Sequence, residues 1–199
     1  MSGNIFFISD LHLGHSNMCN FVTYTGEKAR NFNTYEEADN AIIQKWNDLV
    51  TEKDIVYILG DLCYACQKSY AESVLTQLKG TKKLIGGNHD LWSTQWYLKY
   101  VKYIRGCGHI DNFFYSHVPI HPDSRGRFKL NIHGHIHNSR VMQKVYQNDE
   151  IIEIIDPFYY NVAVDLDYRY SPVPFEEIKK YYQDCLNQGL LEPIPEKRR

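Results

Sequence analysis

Short apolar runs, each followed at once by polar residues, recur along the first half of the chain. Runs of this length without a helical period are typical of strands that are buried on both faces. The pattern therefore predicts three buried strands, at Asn4–Ser9, Asp54–Leu59 and Lys82–Ile85.

Helical spacing of apolar residues separates these strands. From Ala38 to Leu49 apolar residues recur every three or four positions, and Thr34 with Glu37 forms the capping box that opens a helix. We predict one helix from Thr34 to about residue 50 and a second over Ser69–Lys79. Strands that alternate with helices form a parallel sheet with right-handed crossovers, so the fold class is α/β.

Polar residues stand where each predicted strand ends. In an open α/β sheet the site lies outside the carboxyl ends of the strands, so these side chains should meet at one edge. The paired glycines Gly86 and Gly87 allow the backbone there to turn sharply. The residues that converge are Asp10, His12, Asp61, Asn88 and His89.

The second half of the chain predicts a different arrangement. Strand patterns follow one another with turns between them and few helical patterns, which favours a meander or a mixed sheet. A final helix is predicted over Pro174–Leu186. The strands are predicted at His109–Ser116, Phe128–His133, Ser139–Tyr146, Ile151–Ile155 and Asn161–Val164.

Three of the nine histidines lie in the stretch Leu130–His137. His133, His135 and His137 occupy alternate positions, which project to the same face of an extended segment, while the isoleucines of the stretch project to the other. Neutral imidazole is the commonest protein ligand of metals. A metal site is therefore favoured over a His-rich surface loop, because the stretch is internal and interleaved with apolar residues.

Composition and charge exclude several classes of protein. With 199 residues, 43% of them hydrophobic, the chain is expected to form one globular domain over residues 1–199. A net charge of −2 argues against a strong basic nucleic-acid surface. No apolar run approaches the roughly 20 residues of a membrane span. The N-terminus lacks a signal-peptide pattern, so we expect a cytoplasmic protein.

The five cysteines do not suggest a disulfide framework, because they are odd in number and scattered. Cys63 and Cys66 form a single C-x-x-C, which would suit a redox pair or half of a zinc site. No second pair completes such a site. We therefore interpret both as reduced residues that pack as small apolar groups.

The polar residues at the predicted strand ends form a set of oxygen and nitrogen donors without a thiolate. Seven donors are too many for one zinc ion and suit two divalent metals that share a carboxylate. Mixed oxygen and nitrogen donors favour Mn²⁺, with Fe, Zn²⁺ or Ni²⁺ as alternatives. The predicted ligands are Asp10, His12, Asp61, Asn88, His117, His135 and His137.

The order of these residues resembles the calcineurin-like metallophosphoesterase superfamily, in particular its small bacterial and phage members. The resemblance implies a four-layer α/β/β/α sandwich, in which helices flank two mixed β-sheets and a dinuclear metal site lies at the carboxyl ends of the strands. The motifs that carry it are Asp10-Leu11-His12, Gly60-Asp61, Gly87-Asn88-His89-Asp90, His117 and Gly134-His135-Ile136-His137.

The resemblance also implies a role for each residue. A hydroxide that bridges the two metals would attack phosphorus, while His89 would stabilise the transition state and protonate the leaving oxygen. Asp61 would bridge the metals. One metal would be held by Asp10, His12, Asp61 and His137, and the other by Asp61, Asn88, His117 and His135.

One departure from the superfamily narrows the activity. After Gly60-Asp61 the chain continues Leu62-Cys63-Tyr64, where the protein serine/threonine phosphatase branch has D-R-G. The carboxylate that would orient His89 in that branch is therefore missing, and Asp90, though adjacent, need not point at His89. We do not expect protein phosphatase activity.

Three residues outside the ligand set are predicted to support the site. His15 and Arg30, in the long loop Gly14–Asn33, are predicted to contact substrate, and Arg30 could hold a phosphate with two hydrogen bonds. His133 is predicted to orient a metal ligand from behind, the alternative being an ordinary packed histidine.

These observations favour a metal-dependent phosphoesterase that hydrolyses a phosphodiester or a nucleotide-like phosphate ester. The expected partner is that small substrate, and the oligomeric state is left open. The alternatives are a phosphomonoesterase, a two-metal hydrolase of a non-phosphorus ester or amide, and a non-catalytic metal-binding scaffold. The presence of His89 argues against the scaffold, because a scaffold needs no proton donor.

Overall fold

The computed structural model describes residues 3–23, 26–147 and 149–194. Within these ranges the helices are α1 (Tyr35–Leu49), α2 (Lys68–Leu75), α3 (Thr94–Tyr97) and α4 (Phe175–Asn187), with 3₁₀ turns at Pro122–Ser124 and Leu166–Tyr168. None of these helices has the length and apolar character that crossing a membrane requires.

The strands of the described chain form two main mixed sheets and a separate two-stranded hairpin. They are β1 (Ile5–Ile8), β2 (Ile55–Ile58), β3 (Thr81–Ile85), β4 (Ile104–Arg105), β5 (Cys107–Ile110), β6 (Phe113–Ser116), β7 (Leu130–His133), β8 (Met142–Gln147), β9 (Glu150–Ile155), β10 (Tyr159–Asn161) and β11 (Val173–Pro174).

The first sheet has the order β11-β1-β2-β3-β4. Strands β1 to β4 are parallel, with Phe7 opposite Tyr57, and β11 adds to the β1 edge in the antiparallel direction. The crossovers contain α1 and α2, as the alternation of strand and helix patterns predicts. Helix α1 begins as predicted, because the side chain of Thr34 accepts a hydrogen bond from the backbone N–H of Glu37 at 3.2 Å.

The second sheet has the order β10-β7-β6-β5, with β5 antiparallel to β6 and the other neighbours parallel. The prediction of one strand over His109–Ser116 is wrong. Asp111 and Asn112 have φ values of 49° and 65°, which form a tight hairpin turn and divide the segment into β5 and β6. The strand predicted at Asn161–Val164 lies earlier, at β10.

Alternating side chains of β1 separate two apolar layers. Phe6 and Ile8 pack with buried residues of α1 and α2, whereas Phe7 faces the second sheet. From α4, the ring of Phe175 lies 5.6 Å from that of Phe7 and 5.2 Å from that of Phe113, so this helix contacts both sheets. Two mixed sheets flanked by helices are therefore confirmed, and the face-to-face packing brings their strand ends together.

Candidate metal centre

Each predicted metal ligand lies just beyond the end of a strand. Backbone hydrogen bonds tie these strand ends to one another: the N–H of His12 donates to the carbonyl of Asp61 at 2.9 Å, and that of Gly134 to the carbonyl of His117 at 2.9 Å. Within each sheet, the turns that carry the ligands are therefore held together. The ligands follow β1 (Asp10, His12), β2 (Asp61), β3 (Asn88), β6 (His117) and β7 (His135, His137).

Five of these residues adopt a backbone conformation that side chains other than glycine rarely take. Their φ values are positive: 58° at Asp10, 45° at His12, 53° at Asp61, 71° at His135 and 48° at His137. Each such residue costs on the order of 1–3 kcal/mol and persists where surrounding structure enforces it, typically at functional sites. The strain therefore coincides with the predicted ligands.

Asp10, His12 and His137 form a first donor group, with one candidate ligand atom from each lying within 4.8 Å of the others. Oδ1 of Asp10 and Nε2 of His12 are buried and have no hydrogen-bond partner in the described part of the chain. Burial, with the nearby charges of His137 and Arg30, lowers the pKa of His12 to about 2. The imidazole is therefore neutral, the form that binds metal, and a cation would satisfy the unpaired atoms.

Asp61, His117 and His135 form a second donor group, again with one candidate ligand atom from each lying within 4.8 Å of the others. Nδ1 of His135 lies 3.2 Å from Nε2 of His117. The amide oxygen of Asn88 lies 2.9 Å from the same Nε2, which adds the predicted fourth residue to this group. Oxygen and nitrogen donors that converge in this way suit a transition-metal dication.

The carboxylate of Asp61 stands between the two donor groups. Its Oδ2 lies 3.5 Å from Nε2 of His12 and 3.5 Å from Nε2 of His117. Its Oδ1 accepts a hydrogen bond from the backbone N–H of His89 at 2.8 Å. Two donor groups joined by one carboxylate fit a dinuclear divalent metal site.

Two glycines make room for the carboxylates. A Cβ at Gly134 would lie 1.9 Å from Oγ of Ser9 and 2.3 Å from Oδ2 of Asp10, and a Cβ at Gly87 would lie 2.3 Å from Oδ1 of Asp61. Real Cβ atoms do not approach other atoms so closely, so any side chain at either position would displace a predicted ligand.

Asp90 holds the turns after β2 and β3 in place. Its carboxylate accepts hydrogen bonds from the backbone N–H groups of Asp61 at 3.0 Å, Leu62 at 2.9 Å and Gly87 at 2.8 Å. Burial raises the pKa of Asp90, although these hydrogen bonds act to lower it. The sequence left the direction of this side chain open, and the structure assigns it to the backbone of the ligand turns.

Asp165 supports the first donor group and was not predicted from the sequence. It is fully buried, and its Oδ2 lies 2.7 Å from Nδ1 of His137. Burial acts to raise the pKa of Asp165. The positive charge of Arg30 and the hydrogen bond to His137 outweigh it, so the pKa of Asp165 lies below its usual value. The pKa of His137 rises, because the bond to Asp165 and the charge of Asp10 outweigh its burial.

The prediction that Arg30 binds substrate is wrong. Only 1% of the side chain is exposed. Its Nε donates to Oδ1 of Asp165 at 2.7 Å, and its second guanidinium nitrogen donates to the backbone carbonyl of Asp10 at 2.8 Å. The guanidinium is therefore committed to the support of the site and has no access to a ligand.

Other predicted residues lie near the donors without joining either group. His15 is buried and lines a cavity beside the first group, so its substrate contact stays a prediction. Nδ1 of His133 lies 2.9 Å from the carbonyl oxygen of Gly134, a contact with the backbone of the ligand turn. Burial lowers the pKa of His133 to about 4, so the ring is neutral, and its orienting role stays a prediction.

The cysteines of the C-x-x-C are free and stand outside both donor groups. Burial raises the pKa of Cys63, and it raises that of Cys66 to about 11. Both are therefore thiols at neutral pH, and thiols are poor nucleophiles and metal ligands.

The cavity beside the first donor group has a volume of about 430 Å³. His12, His137 and His89 form the part of its wall nearest the donors. The ring of His89 lies 5.3 Å from that of His12 and 4.3 Å from that of Tyr64. A molecule in this cavity would therefore reach both the first donor group and His89.

Comparisons with known proteins agree with this geometry. Residues 3–161 match the sequence profile of a family described as Calcineurin-like phosphoesterase. An uncharacterized protein of Methanocaldococcus jannaschii is 31% identical over 181 residues, which cover 88% of this chain and 89% of that protein. The gene 66 protein of Mycobacterium phage D29 is 25% identical over 219 residues, which cover 94% of this chain and 99% of that protein.

The fold also resembles a solved structure. The crystal structure of a protein of unknown function from Aquifex aeolicus superimposes with a TM-score of 0.64 over 90% of this chain and 99% of that one. The two sequences are 22% identical, so the likeness supports the fold alone.

Proposed function

Because the chain belongs to the calcineurin-like phosphoesterase family, we propose that it hydrolyses a small phosphodiester or nucleotide-like phosphate ester with the help of two divalent metal ions. Bound at the two donor groups, such ions supply an activated water and offset the charge that grows on the phosphoryl oxygens. The donor chemistry favours Mn²⁺. The observation that carries the proposal is the Asp61 carboxylate, 3.5 Å from a histidine of each donor group.

The chain holds its donors in fixed positions. Oδ2 of Asp10 accepts a hydrogen bond from the backbone N–H of His135 at 2.9 Å, and Oδ1 of Asp61 accepts one from that of His89 at 2.8 Å. Each carboxylate thus has one oxygen restrained by the protein and the other directed to the donor groups. Such preorganisation avoids reorganisation during the reaction.

His89 is the proposed proton donor to the leaving oxygen. Its backbone N–H binds Asp61, which places its ring in the cavity wall outside both donor groups. An imidazole at that place can donate a proton without leaving a metal. General acid catalysis of this kind contributes typically about 10²–10⁴-fold to the rate.

The test is hydrolysis of bis(4-nitrophenyl) phosphate by protein that has been stripped with a chelator and reloaded with Mn²⁺. We expect turnover by the loaded protein and none by the stripped protein or by Asp61→Asn. Asp123→Asn, which changes an exposed carboxylate, serves as the control and should behave like the wild type.

Two further substrates separate the alternatives. 4-Nitrophenyl phosphate reports monoester hydrolysis, and faster turnover of it than of the diester would make the protein a phosphomonoesterase. 4-Nitrophenyl acetate reports carboxyl ester hydrolysis, and preference for it would contradict the proposal. If two metals bind but none of the three esters is hydrolysed, the protein would be a non-catalytic metal-binding scaffold.

A further inference from the structure

Four rings form a continuous line along one wall of the cavity, and we call Phe21, His15, Tyr64 and His89 the ring row. The distances between successive ring centroids are 5.8 Å, 4.8 Å and 4.3 Å. Phe21 stands at the solvent end with 50% of its surface exposed, and His89 stands beside the first donor group. The row therefore connects solvent to the proposed reaction centre.

The surface of the cavity is mainly apolar, and no lysine or arginine of the described part of the chain lines it. Outside the ring row, Met18, Val22, Ala29 and Ile136 supply apolar lining, and the polar residues are Thr23, Asn138, Ser139 and the donors His12 and His137. A chain of phosphates or a nucleic-acid backbone binds through cationic side chains, which this wall does not offer. The cavity therefore suits an uncharged organic group attached to a single phosphate that the metal ions neutralise.

Two polar atoms at the cavity favour a heterocycle over a plain hydrocarbon as the ligand. Nδ1 of His15 and Oδ1 of Asn138 are buried at the cavity and have no hydrogen-bond partner in the described ranges. Buried polar atoms without partners are rare in proteins, so a ligand or a water molecule is expected to bind each of them. A nucleobase carries hydrogen-bond donors and acceptors on its edge as well as a flat apolar face.

The loop that carries His15 and Phe21 is fixed relative to the donor groups. The backbone N–H of His15 donates to the carbonyl of the donor His12 at 3.0 Å. Farther along, the N–H of Ala29 donates to the carbonyl of Phe21 at 2.8 Å, which closes the loop back on itself. The backbone that carries these two rings is therefore in place before a ligand arrives, which reduces the entropic cost of binding.

We propose that the ring row binds the nucleobase of the substrate by stacking, so that the substrate is a nucleotide carrying one phosphodiester. The base stacks on the exposed ring of Phe21 at the solvent end of the row, its polar edge meets His15 and Asn138, and its phosphate reaches the donor groups. The position of the phosphate rests on the proposed function, whereas binding of the base can be measured without hydrolysis.

The test compares adenosine 5′-monophosphate with ribose 5-phosphate, which has the same sugar and phosphate but no base. Titration calorimetry with the Mn²⁺-loaded protein measures both dissociation constants. Stacking of one base supplies roughly 5- to 150-fold in affinity, so we expect the nucleotide to bind more tightly by a factor in that range.

Phe21→Ala should remove most of this preference and leave the affinity for ribose 5-phosphate unchanged, while Phe21→Tyr should retain the preference. Because Phe21 is half exposed, its replacement leaves the core intact. Tyr146→Ala, at a ring 72% exposed on β8 and outside the cavity lining, is the matched control and should bind like the wild type.

The outcomes separate this inference from the proposed function. Equal affinities for the two ligands, or a preference that survives Phe21→Ala, would overturn the ring row as a base site even if diesters are hydrolysed. A preference that Phe21→Ala abolishes would support the ring row even if no phosphate ester is turned over.

Discussion

Nδ1 of His137 lies 2.7 Å from Oδ2 of the fully buried Asp165. This bond places the hydrogen on Nδ1 and leaves Nε2 of His137 free to face Asp10, 4.0 Å away. A carboxylate behind a ligating histidine fixes the orientation of the ring and raises its basicity. Asp165 therefore sets the geometry of the first donor group from outside it.

Asp165→Asn should weaken metal binding, because the amide supports the ring of His137 without the negative charge. Loss of such a supporting carboxylate typically reduces metal affinity by about 10- to 100-fold. Competition between the protein and a fluorescent chelator for Mn²⁺ measures the change. Asp167→Asn, two positions on and 73% exposed, is the control, and an equal affinity in both variants would refute the role of Asp165.

Arg30→Ala should destabilise the fold. The substitution leaves the buried Asp165 without its cation, and removal of one partner of a buried ion pair costs about 3–5 kcal/mol of unfolding free energy. Urea denaturation of the metal-free protein measures this change. The exposed pair of Arg140 with Asp167 offers a matched control, because Arg140→Ala should cost at most about 1 kcal/mol. Comparable losses in both variants would contradict the account of Arg30.

The sequence was sufficient to predict the parallel strands β1 to β3 and the residues at their ends. Short apolar runs bounded by turns leave few alternatives, and parallel strands deliver their carboxyl ends to one edge. Asp10, Asp61 and Asn88 can therefore be grouped from the sequence alone. The division of His109–Ser116 into two strands was harder to predict, because Asp111 and Asn112 lie inside an otherwise continuous strand pattern.

The support behind the ligands could not be predicted in the same way. Asp165 follows the apolar run Val162-Ala163-Val164, which is the pattern that marks the other acidic residues, but its partners Arg30 and His137 lie 135 and 28 positions away in sequence. Arg30 lies in a loop with no period, and a loop arginine gives no sign of burial. Its ion pair is a product of tertiary packing.

His89→Ala should separate metal binding from chemistry. Because His89 lies outside both donor groups, we expect both metals to be retained and kcat to fall by about 10²–10⁴-fold for substrates with poor leaving groups. The loss should shrink for nitrophenyl esters, whose leaving group departs without a proton. Metal analysis and kcat across a series of leaving groups test this. Loss of metal would make His89 a ligand, and equal losses across the series would assign it to electrostatic stabilisation.

We propose that one carboxylate, that of Asp61, serves two metal ions. The direct measurement is the metal content of wild-type protein and of Asp61→Asn after equilibration with Mn²⁺ and removal of free ions, with Asp123→Asn as control. Because Oδ2 of Asp61 faces His12 and His117 equally at 3.5 Å, the substitution should weaken both sites together. We predict two ions per chain in the wild type and the control, and loss from both sites in Asp61→Asn. Two ions retained in Asp61→Asn would contradict the shared carboxylate.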